Sequence, residues 1–284
     1  MIYYIVQGIL VGTFYAVLAL GLQMVFGVME VVNFAHGDLM VMGGMIGWLL
    51  ITTYSLPVGL IFPVVFASMF ITGLVVFRVL FKRVRNVPVV QSLLIAFGLG
   101  FIIRDAVRYL FSPKIRTIRL WPGSVSFAGV SFSNDLFLTG LVCGSILVIM
   151  LVFLERTNWG KGIRATSEHT DLAQACGINI DRVQMLGSGI GIGLAGIGGI
   201  FLGVNFQINP YVGMEFLFKS FAVVVLGGMG SMRGVIIGGL IIGLVESIGT
   251  LFIGPQPAAA ASFITIILVL LIRPTGFFGR EVKL

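Results

Sequence analysis

Nine long apolar runs decide what this chain can fold into: 3–27, 36–54, 57–81, 89–111, 134–154, 183–205, 213–231, 234–253 and 257–272. A hydrocarbon core about 30 Å thick is crossed by about 20 apolar residues of helix, and most of these runs meet that length. The expected fold is all-α: a polytopic integral membrane protein with eight or nine transmembrane helices, one of them broken. The count stays at eight or nine because Glu30, Asn33, His36 and Asp38 interrupt the first pair of runs. No shift in composition divides the chain and no repeat is readable, so residues 1–284 are expected to form one transmembrane domain.

Composition removes most other classes. Of 284 residues, 58% are apolar and 10% charged, against about 25% charged in a soluble domain. A water-soluble globule of this length has no way to hide so much apolar surface, which excludes a soluble enzyme, a nucleic-acid binder and a disordered protein. The net charge of +7 sits in a few loops, where bases set orientation. Cys143 and Cys176 are far apart and match no metal or redox spacing. No base precedes Arg78, so no cleavable signal is expected and insertion is assigned to the spans themselves.

The bases form a map. Arg78, Lys82, Arg83 and Arg85 make one cluster; Arg156, Lys161, Arg164 and Arg182 a second; Arg273, Arg280 and Lys283 a third. Two and four spans separate them, so all three are expected on the cytoplasmic face. Arg104, Arg108, Lys114, Arg116 and Arg119 disagree. They surround the 112–133 loop, which the same count places outside and which reads as ordered loop or short strand.

Four segments carry the functional expectations. Glycines four apart (Gly8/Gly12, Gly43/Gly47, Gly187/Gly191, Gly199/Gly203, Gly239/Gly243) flatten helix faces for close packing. Gly191–Gly196 matches a dinucleotide-binding pattern, but it lies inside an apolar run and reads as packing. No phosphate-binding loop with its lysine occurs, so ATP must be held elsewhere. The polar residues Glu30, Asn33, His36, Asp38 and, later, Glu246 stand at membrane depth, where an ionisable group costs at least about 2.5 kcal/mol and faces a cavity or the bundle interior. Residues 33–38 are then either a polar turn or a broken helix lining a solute path. Glu246 either pairs with Lys219 or Arg233 or lines that path. Gly227, Gly228, Gly230, Ser231 and Gly234 permit a tight turn. The one long polar segment on the cytoplasmic side, 155–182, is expected to hold a surface helix over 165–177, with Ser167 and Thr170 capping it and Gly177 ending it. Arg164, Ala165, Glu168, Asp171, Ala175 and Gly177 are the docking candidates there. No metal site and no catalytic residue is expected.

Three ordered motifs resemble LivH-type permeases, the membrane subunits of branched-chain amino-acid ABC importers. The first is Gly12, Tyr15, Leu20, Gly21, Phe26 and Gly27 followed by Asn33, Phe34, Ala35, His36 and Gly37. The second is Trp159, Gly160, Arg164, Ala165, Asp171, Ala175, Gly177, Ile178, Arg182 and Val183, which looks like the coupling segment. The third is Val225–Gly228, Gly230, Ser231 and Gly234, then Gly238–Leu240, Gly243 and Glu246. The resemblance implies a permease domain over 1–284 in a bacterial inner membrane. It moves branched-chain or related amino acids, or amides, inward by alternating access. It also implies a LivM-like second permease, two cytoplasmic ATPase subunits that bind ATP and Mg, and an extracytoplasmic solute-binding protein, with no cofactor in this chain. The alternative reading from the residues is an ion-coupled secondary transporter or a channel for a small polar solute.

Overall fold

The computed structural model describes residues 1–29, 31–84, 87–127, 130–273 and 276–278. Each of the nine apolar runs falls on a helix. In order these are α1 (Ile2–Met29), α2 (His36–Thr52), α3 (Val58–Val76), a π-helical turn (Phe77–Phe81), α4 (Lys82–Val84) and α5 (Val89–Phe111). A β-hairpin follows, β1 (Ser124–Phe127) and β2 (Val130–Ser133), and then α6 (Asn134–Arg156), α7 (Asn158–Glu168) and α8 (Thr170–Ala175). The chain finishes with α9 (Ile180–Asn205), α10 (Gly213–Gly227), α11 (Met232–Ile253) and α12 (Pro255–Ile272). Among the described residues six helical stretches are long and apolar enough to cross a membrane, and α2 and α10, at 17 and 15 residues, are shorter.

The chain groups into two compact units. One holds Met1–Leu20, Arg119–Leu151 and Phe218–Leu284. Here α1 and α11 cross on glycine: a Cβ at Gly8 would lie 2.9 Å from Leu244 Cα, and one at Gly12 equally close to Leu240 Cα. With no side chains between them, the two backbones touch, and dispersion rather than water drives the contact. Thr13 Oγ1 donates to the Gly140 carbonyl of α6 at 3.3 Å. The hairpin pairs Ser124 with Ser133 through Phe127 with Val130, and Asp135 Oδ1 accepts from the Trp121 amide at 2.8 Å. The 112–133 loop therefore contains the short strands the sequence suggested.

The other unit holds Gly21–Ile118 and Val152–Leu217. α9 is its axis and is buried along most of its length. α2 lies on it through Gly43 against Gly196 and Gly44 against Gly199, and α3 through Gly73, where a Cβ would come 2.8 Å from Gly189 Cα. The small-residue spacing thus serves packing within the chain. Gly191–Gly196 sits buried in mid-helix, out of reach of any nucleotide. Lys82 and Asp181 meet at 2.7 Å, so the first and second basic clusters share one end of this unit.

Candidate functional site

The break between α1 and α2 is built by Asn33. Its Oδ1 accepts from the Ala35 amide at 3.1 Å, and its carbonyl from the His36 amide at 3.1 Å. The asparagine thereby stands in for the backbone bonds that a turn lacks. Asn33 Nδ2 is fully buried and makes no hydrogen bond. His36 and Gly37 open α2. A Cβ at Gly213 would lie 2.7 Å from the Gly37 carbonyl oxygen, so α2 begins in backbone contact with the start of α10. Asp38, 2% exposed, takes Arg104 of α5 as a bidentate partner, Nε to Oδ1 at 2.9 Å and Nη2 to Oδ2 at 3.1 Å. Phe97, Gly100, Phe101 and Arg104 share one face of α5 by helical spacing. Phe97 stacks on Phe34 with centroids 4.2 Å apart, Phe101 lies 5.3 Å from the guanidinium, and a Cβ at Gly100 would sit 2.7 Å from Asp38 Oδ2. Asn33, His36 and Asp38 are therefore together; Glu30 lies outside the described residues.

By sequence Arg104 is one of the bases that disagree with the orientation map. It belongs instead to a span, tied to a buried acid. Arg108 pairs within its own helix with Asp105 at 3.4 Å. Arg116 lies 3.6 Å over the Trp48 ring and donates to the Phe111 carbonyl. The signal for Arg104 was available: a cation inside an apolar run needs a partner.

Glu246 lies in the first-described unit. Of its two expected partners it takes Lys219, Nζ to Oε1 at 2.9 Å, with the pair 4% and 17% exposed. Tyr15 donates to Oε2 at 3.0 Å and accepts from Lys219 Nζ at 3.2 Å. The tyrosine closes a three-membered polar cluster and was not singled out for it by sequence.

The polar segment 155–182 corrects one expectation. A single helix over 165–177 is not formed. α7 starts at the Thr157 cap, whose Oγ1 accepts from the Gly160 amide at 3.0 Å, and ends at Glu168. His169 is extended (φ −154°, ψ 98°), and only then does α8 begin. Ser167 and Thr170 do not cap. Their hydroxyls donate back to the Arg164 and Thr166 carbonyls at 2.9 and 3.1 Å. Ser167, His169 and Thr170 are all weak helix formers, and the helix yields where they cluster. Gly177 does end α8, at φ 83°, with the Ile178 amide donating to the Ala173 carbonyl at 3.1 Å. Arg164, Glu168, Asp171, Ala175 and Gly177 are exposed and Ala165 half-buried, whereas Ala173 faces inward. Between α8 and the start of α9 opens a cleft of about 1050 Å³ lined by Glu168, Asp171 and Asp181. Beside α7 a smaller groove of about 460 Å³ has Trp159, Lys161, Ala165 and Arg182 on its walls.

Between α10 and α11 the chain turns through Gly228 (φ 97°) and Gly230 (φ 91°), and Ser231 Oγ caps α11 by accepting from the Gly234 amide at 3.1 Å. A Cβ at Gly227 would lie 2.6 Å from the Val235 amide nitrogen. A Cβ added at Gly230 would meet nothing within 4 Å, so a substitution there reports backbone strain alone. Gly230→Val is expected to cost about 1–3 kcal/mol and Gly230→Asn less, because asparagine tolerates positive φ. Thermal unfolding in detergent would read the order Gly, Asn, Val; a valine variant as stable as the parent contradicts the strain.

Long apolar helices packed through glycine, the buried charge pairs Asp38–Arg104 and Lys219–Glu246, and an exposed polar helix pair between spans define, among the described residues, a polytopic helical membrane protein. The family model described as "Branched-chain amino acid transport system / permease component" matches residues 4–272, and the chain belongs to that family. It is 31% identical over 296 residues to the high-affinity branched-chain amino acid transport system permease protein LivH of Escherichia coli K12, covering 96% of this chain and 94% of that protein. It is 32% identical over 291 residues to the corresponding permease BraD of Pseudomonas aeruginosa, covering 97% and 95%. Among solved structures, PsaBC from Streptococcus pneumoniae in complex with Fab covers 98% of this chain and 92% of that chain, with a TM-score of 0.50 and 16% identity; the likeness is one of fold. The chain is thus a multi-pass inner-membrane permease component of an ABC importer family.

Proposed function

We propose that residues 1–284 act as one permease domain that moves branched-chain amino acids inward by alternating access, with α2, α10 and α12 completing the eight or nine spans. A LivM-like second permease stands beside it, and an extracytoplasmic binding protein delivers solute. Two cytoplasmic ATPases bind ATP and Mg, and this chain carries no cofactor. The break at Asn33, His36 and Asp38 lines the solute path. Membership of the family supports the assembly. The observation that carries the coupling role is the exposed α7–α8 pair: 155–182 is far longer than a connector requires, and it presents Arg164, Glu168 and Asp171 around small residues. Membership of a transport-system permease-component family disfavours the ion-coupled or channel alternative.

Ala175 is exposed on α8, so Ala175→Trp leaves the spans untouched and places bulk where an ATPase would seat. Insertion is expected to be normal, while ATPase co-purification and transport both fall at least tenfold. Asp171→Asn is mild by comparison, since a rim charge is worth about 1 kcal/mol or less. Normal co-purification and transport with Ala175→Trp would remove the docking role.

A further inference from the structure

The Asp38–Arg104 pair is neutral as a unit, and packing alone gives no reason for it. Replacing a buried ion pair by apolar side chains of similar volume is often neutral or stabilising. It is also asymmetric: the Asp38 side chain is 2% exposed and that of Arg104 18%, so the arginine is the less enclosed partner. A guanidinium fork takes any carboxylate in the same two-bond geometry. In the break, three residues before α2 begins, Asn33 Nδ2 is a buried donor with nothing to donate to. Phe101 lies beside the guanidinium, and one turn earlier on α5 Phe97 stacks on Phe34.

We propose that this pair opens around a zwitterionic amino acid, Arg104 taking the solute's carboxylate and Asp38 its ammonium, while the three phenylalanines face its apolar side chain. The proposal rests on the reading that the break lines the solute path, and it assigns the two charges that hold the ends of an amino acid there. The exchange conserves charge, since each ion of the pair swaps one partner for an equivalent one. A neutral amide, or a solute with a single charge, leaves at least one of the two ions unpaired.

The test uses the complete importer in proteoliposomes, with leucine, acetamide and urea as probes. Arg104→Gln and Asp38→Asn are each expected to lower leucine uptake at least tenfold, with Arg104→Lys retaining part of it. Arg108→Gln, outside the pair, stays within twofold. The decisive variant is Asp38→Leu with Arg104→Met. It restores a satisfied interior, so its thermal midpoint stays near the parent's, yet its leucine uptake remains at least tenfold down. Leucine uptake at the parent's rate by that double variant overturns the proposal, as does acetamide or urea uptake matching leucine in the parent. The underlying path reading is checked separately with Asn33→Cys in a Cys143→Ala, Cys176→Ser background. Labelling by a water-soluble thiol reagent, slowed by leucine, supports the path whatever the double variant does. No labelling removes the path and this proposal together.

Discussion

Gly199→Leu is expected to leave almost no folded protein. A Cβ there runs into the Met40 carbonyl oxygen and lies 2.6 Å from the Gly44 amide nitrogen. These are backbone atoms, so no rotamer change relieves the overlap and α2 must move bodily off α9. Forcing extra methylenes into a packed core costs about 1–3 kcal/mol where side chains can give way. Here nothing gives way, and the contact itself depends on close backbone approach. Gly98→Leu and Gly144→Leu are the controls, because a Cβ at either meets nothing within 4 Å. Yield of monodisperse protein and thermal midpoint in detergent would separate the three. Equal values for Gly199→Leu and its controls would contradict the α2–α9 packing.

Lys219→Met is expected to be the second severe change. It leaves Glu246 with Tyr15 alone in a place where the pair is only 4% and 17% exposed. Breaking a buried pair by removing one partner costs about 3–5 kcal/mol, whereas replacing both partners is often close to neutral. Lys219→Met combined with Glu246→Leu should therefore recover most of the lost stability, and Tyr15→Phe alone should cost about 1 kcal/mol. A double variant as unstable as Lys219→Met would show that the charge left behind is not the source of the damage.

Much of this architecture is legible in the sequence, because in lipid the length of an apolar run and the position of a helix are nearly the same information. Every run became a helix, and the glycines that face Leu240, Leu244 and Gly196 already stood at packing intervals. The turn at Gly228 and Gly230 was legible too, since few other residues take its backbone angles. What stayed hidden was partnership across long separations. Arg104 looked like a loop charge because its acid is 66 positions away. Tyr15 looked like one more aromatic residue in an apolar run because its partners are more than 200 positions away. The α7–α8 break was hidden for the opposite reason. Ser167 and Thr170 have two local uses, capping a helix or bonding back to it, and their identity does not choose between them.

The distance between Asp38 and Arg104 along the chain is also an interval of time. Ribosomes add about 5–20 residues per second, so the 66 positions that separate the two take about 3–13 s to synthesise. Through that interval α2 exists with an acid near its first turn and no base to meet it, at a cost of about 2.5–3.5 kcal/mol if it sits at the bilayer centre. The helix that supports it along its length, α9, starts later still. The nascent segment is therefore not at rest in lipid when it first emerges. The acid can meet its base only once α5 has followed. The order of genetic decoding thus sets when the first third of this protein becomes a membrane structure.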